Sequence, residues 1–338
     1  MAILVTGGAG YIGSHTVLTL LEEGHEVVVI DNLCNASSEA IKRVEMLSGK
    51  SVAFYQADVR DGEQVRAIFS RHAISSVIHF AALKSVGESV CKPLEYYDNN
   101  LKSTMVLLAE MRRAGVDKLL FSSSATVYGQ PECTPLREDA RIGGTTNPYG
   151  TTKLMIEQIL QDYSRACPDF SVIILRYFNP VGAHPSGMIG ENPNGVPANL
   201  VPYLTQVAVG KLEKLLIYGS DYPTKDGTGI RDYIHVMDVA EGHLKALEAI
   251  NRHRGVRIYN LGTGVGYSVK DMLHAFENVI GRPVPHEIVP RRDGDIGECW
   301  SDPSLAKQQL GWQAKRNLDD MVRDAWRWQL NNPEGFKS

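Results

Sequence analysis

The chain has 338 residues, of which 43% are hydrophobic and 22% charged, with 31 Gly and 16 Pro spread along it. That is globular usage, excluding a disordered or collagen-like chain, and the length points to two lobes. Its 35 Lys and Arg against 39 Asp and Glu give a formal net charge of -4, so no overall basic field favours nucleic acid or anionic lipid.

In chain order, short β-branched or apolar runs alternate with helix-length segments: Ala2 to Val5, Val27 to Ile30, Val52 to Tyr55, Val77 to Phe80, Leu119 to Phe121 and Val172 to Leu175. The rhythm predicts βαβ units. Because the strands read as continuous apolar runs, both faces of the sheet are expected to be covered by helices, as in a doubly wound parallel α/β (Rossmann) sheet. After Asn179 the rhythm breaks in a run crowded with Pro and Gly as far as Pro197. The expected division is therefore a cofactor lobe, residues 1–179, and a smaller mixed α/β lobe, residues 180–338. The smaller lobe is expected to be discontinuous and to return some segments to the large sheet. Beyond the boundary the pattern predicts a helix near Leu200–Val209, a strand at Lys214–Tyr218, a loop at Gly219–Gly229, a helix near Asp238–Ala249 and a strand at Ile258–Leu261. All four tryptophans lie in the last forty residues and read as packing of the C-terminal segment.

Directly after the first strand stands Gly7-Gly8-Ala9-Gly10-Tyr11-Ile12-Gly13, opening a helical pattern. Glycines there permit a sharp turn and close approach of backbone to a pyrophosphate, with the helix N-terminus supplying positive potential. The position between strand and helix makes Gly7, Gly10 and Gly13 a dinucleotide motif rather than a chance cluster. Asp31 ends the second strand, where a carboxylate accepts hydrogen bonds from the adenine ribose and repels a 2′-phosphate, favouring NAD over NADP. Asn32 and Cys34 follow it in the same turn. Asp58 and Val59 after the third strand, and Phe80, Ala81 and Lys84 after the fourth, also fall at carboxyl ends of strands.

Tyr149-Gly-Thr-Thr-Lys153, with Pro148 suited to a first helical turn, places a phenol and an ammonium on one helix face. An unperturbed tyrosine, pKa about 10, is only about 0.1% phenolate at neutral pH, so a base poised near 7 needs roughly 4 kcal/mol in favour of the anion. One cation about 6 Å away at an effective dielectric of about 20 supplies on the order of 3 kcal/mol. Lys153 is therefore expected to depress the Tyr149 pKa, with the nicotinamide charge adding the rest. Ser124, at the end of the fifth strand in Ser122-Ser-Ser-Ala-Thr-Val-Tyr-Gly129, is the expected hydroxyl partner.

In this order the glycine motif, Asp31, the serine run and YxxxK resemble the extended short-chain dehydrogenase/reductase superfamily. Arg176-Tyr-Phe-Asn-Pro-Val-Gly-Ala-His184 and Gly227-Thr-Gly-Ile-Arg-Asp-Tyr-Ile-His-Val236 narrow the resemblance to its UDP-hexose 4-epimerase branch, over essentially the whole chain. The related nucleotide-sugar dehydratases carry an Asp-Glu pair where Ala125 and Thr126 stand, and water elimination needs such an acid/base pair. The resemblance implies interconversion of UDP-galactose and UDP-glucose through a 4-keto sugar. Tyr149, Ser124 and Lys153 would carry the chemistry, and NAD would be regenerated at each turnover. It adds Tyr11, Ile12, Asn35, Asn99, Tyr177 and Phe178 to the cofactor side. For the UDP-sugar it implies Asn179, Asn199, Leu200, Tyr218, Arg231, Tyr233, Arg292, Asp295 and Cys299.

At the Cys299 position the family holds either a bulky tyrosine or a small residue, and the small form goes with N-acetylated UDP-sugars. The alternative within the superfamily, an epimerase or decarboxylase of UDP-uronic acids, needs a cation for the C6 carboxylate, and none is identified. A non-catalytic NAD-binding regulator would dispense with the Tyr/Lys pair. No metal site or disulfide framework is expected from five scattered cysteines without CxxC, and no basic signal start or membrane span of about 18 apolar residues is present. The expectation is a cytoplasmic protein, and the resemblance suggests a homodimer.

Overall fold

The computed structural model describes residues 1–292 and 294–336. Five βα steps and a sixth strand build its larger part: β1 (Ala2–Thr6), α1 (Tyr11–Glu22), β2 (Val27–Asp31), α2 (Ser38–Ser48), β3 (Ala53–Gln56), α3 (Gly62–Arg71), β4 (Ile74–His79), α4 (Val86–Cys91), α5 (Pro93–Ala114), β5 (Lys118–Ser124), α6 (Pro148–Ala166) and β6 (Ser171–Tyr177). The sheet has seven strands, all paired in parallel, in the order Gly255–Leu261, β6, β5, β4, β1, β2, β3. Reversal of strand order beside β1 leaves a crevice at the carboxyl ends, where such sheets hold ligands.

Strand residues sort onto two cores with the period of two. Ile3, Val5, Val27, Val29, Ile78, Leu120, Ile173 and Leu175 pack on one face with Val17, Leu18 and Leu21 of α1 and with Val239 and Leu247 of the helix Val236–Ile250. Leu4, Val28, Ile30, Val77, Leu119, Phe121, Val172 and Ile174 pack on the other with Val65, Leu107 and Leu160 of α3, α5 and α6. Side-chain caps start the helices that frame the site. Asp61 accepts from the first turn of α3, and Asn147 Oδ1 accepts from Gly150 N at 2.9 Å, with Pro148 leading α6.

The predicted helices and strands of the second half appear as Leu200–Ala208, Leu215–Tyr218, Val236–Ile250 and Gly255–Leu261. The last is the edge strand of the large sheet, so one late segment does return there. The smaller lobe has its own core of Leu204, Ile217, Tyr233, Met272, Phe276, Met321 and Val322. Its remaining strands are two to four residues long: Asn179–Val181 beside Tyr233–His235, Ile230–Arg231 between Tyr267–Ser268 and Glu298–Cys299, and Leu215–Tyr218 beside His286–Val289. Trp312 and Trp328 are buried in the C-terminal packing, the former donating to the Asp238 carbonyl at 2.9 Å.

Candidate active site

The carboxyl ends of β1 to β6 carry the expected residues into one crevice. Thr6, ending β1, lies opposite His79 of β4, so the Gly7 turn and the Phe80–Lys84 segment rise side by side. A Cβ on Gly7 would come within 2.7 Å of the Ala81 nitrogen, and one on Gly13 would collide with the Gly7 carbonyl oxygen. The turn therefore has room for backbone and no side chain, leaving a cradle for a pyrophosphate beneath Gly10, Tyr11 and Ile12 at the start of α1.

Asp31 is buried, and its carboxylate accepts from Ala9 N at 3.0 Å and Leu33 N at 2.9 Å. Burial pushes its pKa up and those two amides pull it back. The first ties the β2 turn to the glycine turn and the second closes the β2 turn on itself, with Leu33 at φ 61, a left-handed conformation that a leucine rarely adopts. Asp58 lies a short step away, accepting from Asn32 at 3.2 Å, while the Arg60 guanidinium holds its carboxyl down at about 2. Val59 is buried beneath it, and Asn35 is exposed on the turn. Asn99 donates to Asn100 Oδ1 at 3.0 Å. Asn100 accepts from Leu83 N at 2.8 Å and donates to Thr152 Oγ1 at 2.9 Å, linking the β4 loop to the turn of α6 that carries Lys153.

Ser124 ends β5 opposite Tyr177 of β6, and its Oγ accepts from Thr126 N at 3.2 Å, capping the turn Ala125–Tyr128. That leaves the hydroxyl proton free to donate elsewhere, and the Ser124 side chain is near enough to the Tyr149 phenol to lower its pKa. Lys153, one turn along α6, is buried. Its Nζ donates to the Ser122 carbonyl at 2.6 Å and lies 4.9 Å over the Phe121 ring. Burial pulls the Lys153 ammonium down to about 7, opposed by Glu157.

The electrostatic expectation for Tyr149 is corrected here. Burial pushes its phenol above its ordinary value, and the influence that lowers it is Ser124. Lys153 is committed to the Ser122 carbonyl and is itself poised near neutrality, so it does not by itself supply the expected cation. Behind it, Glu157 forms a wholly buried pair with Arg176 at 2.7 Å and accepts from Ser123 at 2.5 Å, stiffening the strand end that presents Ser124.

Phe178 and Cys299 pack with Ala125 and Val127 in one small cluster beside Ser124, and Tyr177 is hydrogen-bonded to His243, whose ring packs on Phe80. Cys299 stands opposite Arg231 in paired strands, and burial raises its thiol to about 11. Arg231 donates to the Ile230 carbonyl at 2.8 Å, and Tyr233, buried and raised to about 12, stands opposite Asn179. Asp232, between Arg231 and Tyr233, accepts from Thr263 N at 2.8 Å and Ser301 N at 3.1 Å, locking three loops together. Tyr218, Arg292 and Asp295 form a second group: the Arg292 guanidinium lies 4.5 Å over the Tyr218 ring and pairs with Asp295 at 3.0 Å. Asn199 and Leu200 open the helix Leu200–Ala208.

Among the described residues, three buried side-chain polar atoms lack a partner, and two border the crevice. Thr126 Oγ1 lies against Gly150 at the start of α6, and the Tyr222 hydroxyl sits where the charges of Asp295, Arg291, Arg231 and Arg292 all act. A buried hydroxyl without a partner costs about 1–3 kcal/mol, so both fit a site completed by a polar ligand. Sequence patterning missed Tyr222 because nothing in its local spacing distinguishes it.

A glycine cradle at the switch point of a doubly wound sheet, facing a Ser–Tyr–Lys set, defines a dinucleotide-dependent enzyme of the Rossmann type. The chain belongs to the NAD dependent epimerase/dehydratase family, whose model matches residues 3–262. It is 64% identical over 336 residues to the UDP-glucose 4-epimerase of Yersinia enterocolitica, with 99% of each chain covered. Its structure superposes with a TM-score of 0.97 on UDP-glucose 4-epimerase from Bifidobacterium longum in complex with NAD+ and UDP, at 53% identity over 99% of this chain and 100% of that one. The UDP-Glc/GlcNAc 4-epimerase of Campylobacter jejuni gives a TM-score of 0.85 at 39% identity, over 98% and 99%.

Proposed function

We propose that this protein interconverts UDP-galactose and UDP-glucose by inverting C4 through a 4-keto sugar, with NAD as a resident cofactor. The observation that carries the reading is Ser124 at the end of β5 beside the Tyr149 phenol and buried Lys153, followed by Ala125 and Thr126, which lack the acid/base pair of a dehydratase. Gly7, Gly10 and Gly13 would hold the pyrophosphate, and Asp31 and Asp58 the adenosine end. When bound, NAD+ supplies the hydride acceptor for C4 and the positive charge that Tyr149 does not obtain from its own neighbours.

Tyr149 takes the proton of the sugar 4-hydroxyl while Ser124, whose Oγ is fixed by Thr126 N, donates to the same oxygen. Lys153, anchored on the Ser122 carbonyl, presents its remaining N–H donors to the ribose side. After the 4-keto sugar turns over, Tyr149 returns the proton to O4. Turning requires a loosely held hexose, so grip must come from the remote UDP. Arg231 and Arg292 suit the diphosphate by their forked donors, Tyr218 and Asp295 the uridine, and Asn179, Asn199, Leu200 and Tyr233 the remaining wall. We assign residues 1–179 with the returning strand Gly255–Leu261 to the cofactor, and the rest of 180–338 to the nucleotide sugar.

The test uses purified protein without added NAD, offered UDP-galactose, with UDP-glucose as the readout. Conversion that is abolished in Tyr149→Phe supports the reading; protein that retains NAD and converts nothing overturns it.

A second substrate class is favoured by one observation. Cys299, packed against Ala125 and Phe178 beside Ser124, removes several heavy atoms from the hexose wall relative to tyrosine, and so makes room for a 2-acetamido group. The working form is proposed to be a cytoplasmic homodimer. Exposed Val86 and Val90 of α4, Leu94 and Met105 of α5 and Met155 of α6 supply an apolar surface for it, and the five free thiols suit a reducing compartment. Sedimentation of the wild type as a dimer and of Leu94→Glu as a monomer would support this assembly.

A further inference from the structure

Between residues 191 and 199 the smaller lobe reaches over to the cofactor side through polar contacts. The Glu191 side chain is 10% exposed, and its Oε1 takes two partners: it pairs with Lys84 Nζ at 3.2 Å and accepts from Asn199 Nδ2 at 2.8 Å. Three residues on, Asn194 Nδ2 donates to the Cys34 carbonyl at 3.2 Å, in the turn that follows Asp31. Lys84 lies 5.9 Å over the ring of Tyr11, whose hydroxyl donates to the Gly182 carbonyl at 2.7 Å. One short segment thus touches the turn after β2 and the loop after β4.

Glu191 is well placed to govern that segment. Its own carbonyl is fixed by the Trp328 indole N–H at 3.0 Å, so the side chain pivots from an anchored backbone. A cavity of 230 Å³ lined by Asn192, Val201, Gln206 and Trp328 borders the segment, and its ties to Lys84 and Cys34 are polar. Two residues with expected ligand duties, Lys84 toward the cofactor and Asn199 toward the nucleotide sugar, meet on this one oxygen.

We propose that Glu191 is a positioning residue that couples the two ligands, holding Lys84 for the cofactor and Asn199 for the UDP-sugar while keeping the 191–199 segment closed over NAD. This deepens the function proposed above and rests on it. A 4-keto sugar must be reduced before it leaves, so the enzyme needs its cofactor held throughout the turnover. Because the carboxylate serves both sides, the coupling is reciprocal: binding at Asn199 changes the hold on Lys84 and the reverse.

The test uses the NAD-loaded protein as purified. NAD remaining after gel filtration and dilution is followed without substrate, and KM and kcat per NAD-loaded site are then measured with UDP-galactose. Glu191→Gln keeps an acceptor for Asn199 and loses the charge facing Lys84, so NAD should leave about tenfold faster, the equivalent of about 1.4 kcal/mol, with KM within about twofold of wild type. Glu191→Ala should add a rise in KM of about fivefold, with kcat per loaded site kept, and Glu191→Asp should recover much of the NAD retention. Asn194→Ala should hasten NAD loss and leave KM unchanged. Wild-type NAD retention in Glu191→Gln overturns the proposal, as does a collapse of kcat per loaded site with KM and retention intact. Because retention is read without substrate, a wild type that holds NAD but converts no UDP-galactose overturns the function instead, and the retention data still decide the role of Glu191.

Discussion

The two walls of the crevice are built differently. The cofactor wall rises from strands of four to seven residues, most of them buried, and its polar residues are tied to backbone groups: Asp31 to Ala9 and Leu33, Lys153 to the Ser122 carbonyl, Ser124 to Thr126 N. The substrate wall rests on strands of two to four residues, and Arg292, 53% exposed, rests on the Tyr218 ring and on Asp295. The contrast suits a division of labour in which the cofactor is fixed to within a fraction of an ångström and the sugar is allowed to turn. Asp232 makes the middle case, a buried carboxylate that uses five hydrogen bonds to organise loops that no sheet supports.

The largest effect should come from the rigid wall. Tyr149→Phe removes the proton acceptor without changing the packing, so kcat should fall about a thousandfold with KM and bound NAD unchanged, read by steady-state kinetics and NAD content. Equal losses in kcat and NAD content would mean the phenol is structural.

On the substrate wall the expectation inverts. Arg231→Ala should raise KM for UDP-galactose by about thirtyfold and Arg292→Ala, the more exposed, by about tenfold, with kcat much less affected in both. A variant that lost kcat instead would place its arginine at the reacting sugar and erase the contrast.

Neutral histidines packed in the core around the large sheet also give the molecule a pH sensitivity. Burial holds His15 and His79 down to about 3 and His243 to about 4. Since these folded-state values lie below the unfolded value of about 6.5, the unfolded chain binds more protons, and stability is lost as pH falls from about 6.5 toward 4. By pH 5 each histidine should cost about 2 kcal/mol, measurable as a lower urea midpoint against pH 7. His79→Gln, placed between the Thr6 and Thr104 hydroxyls, should flatten that dependence.

The smallest effect concerns selectivity. Cys299→Tyr should lower kcat/KM for N-acetylated UDP-sugars relative to plain ones by about tenfold. Unchanged ratios would show that another side chain sets the width of the hexose pocket.

The two walls also differ in how legible they were. Parallel strands covered on both faces advertise themselves as apolar runs, and the glycine turn and the YxxxK helix follow from local geometry. The edge strand begins at Gly255, earlier than its apolar run, because exposed Arg257 interrupts the pattern. The helix predicted from Asp238 starts at Val236 because His235, an unusual cap, accepts from Met237 N at 3.1 Å. Strands such as Ile230–Arg231 and Glu298–Cys299 are too short to show a period and exist by pairing across the chain. Glu191 and Tyr222 escaped notice for the same reason, since each acquires its partners or its isolation from distant segments. The expectation that Lys153 depresses the Tyr149 pKa failed because spacing reports which face two groups share and not how deeply they are buried.

The central claim is that C4 is oxidised and reduced within one closed crevice. Its most direct test gives the purified protein UDP-galactose carrying deuterium at C4 in ordinary water and examines the UDP-glucose formed by mass spectrometry and NMR. Full retention of the label at C4, with inverted configuration, is expected. Loss of the label to solvent would contradict the account, because it would require C4 to exchange its hydrogen as a proton rather than pass it to a resident cofactor and take it back.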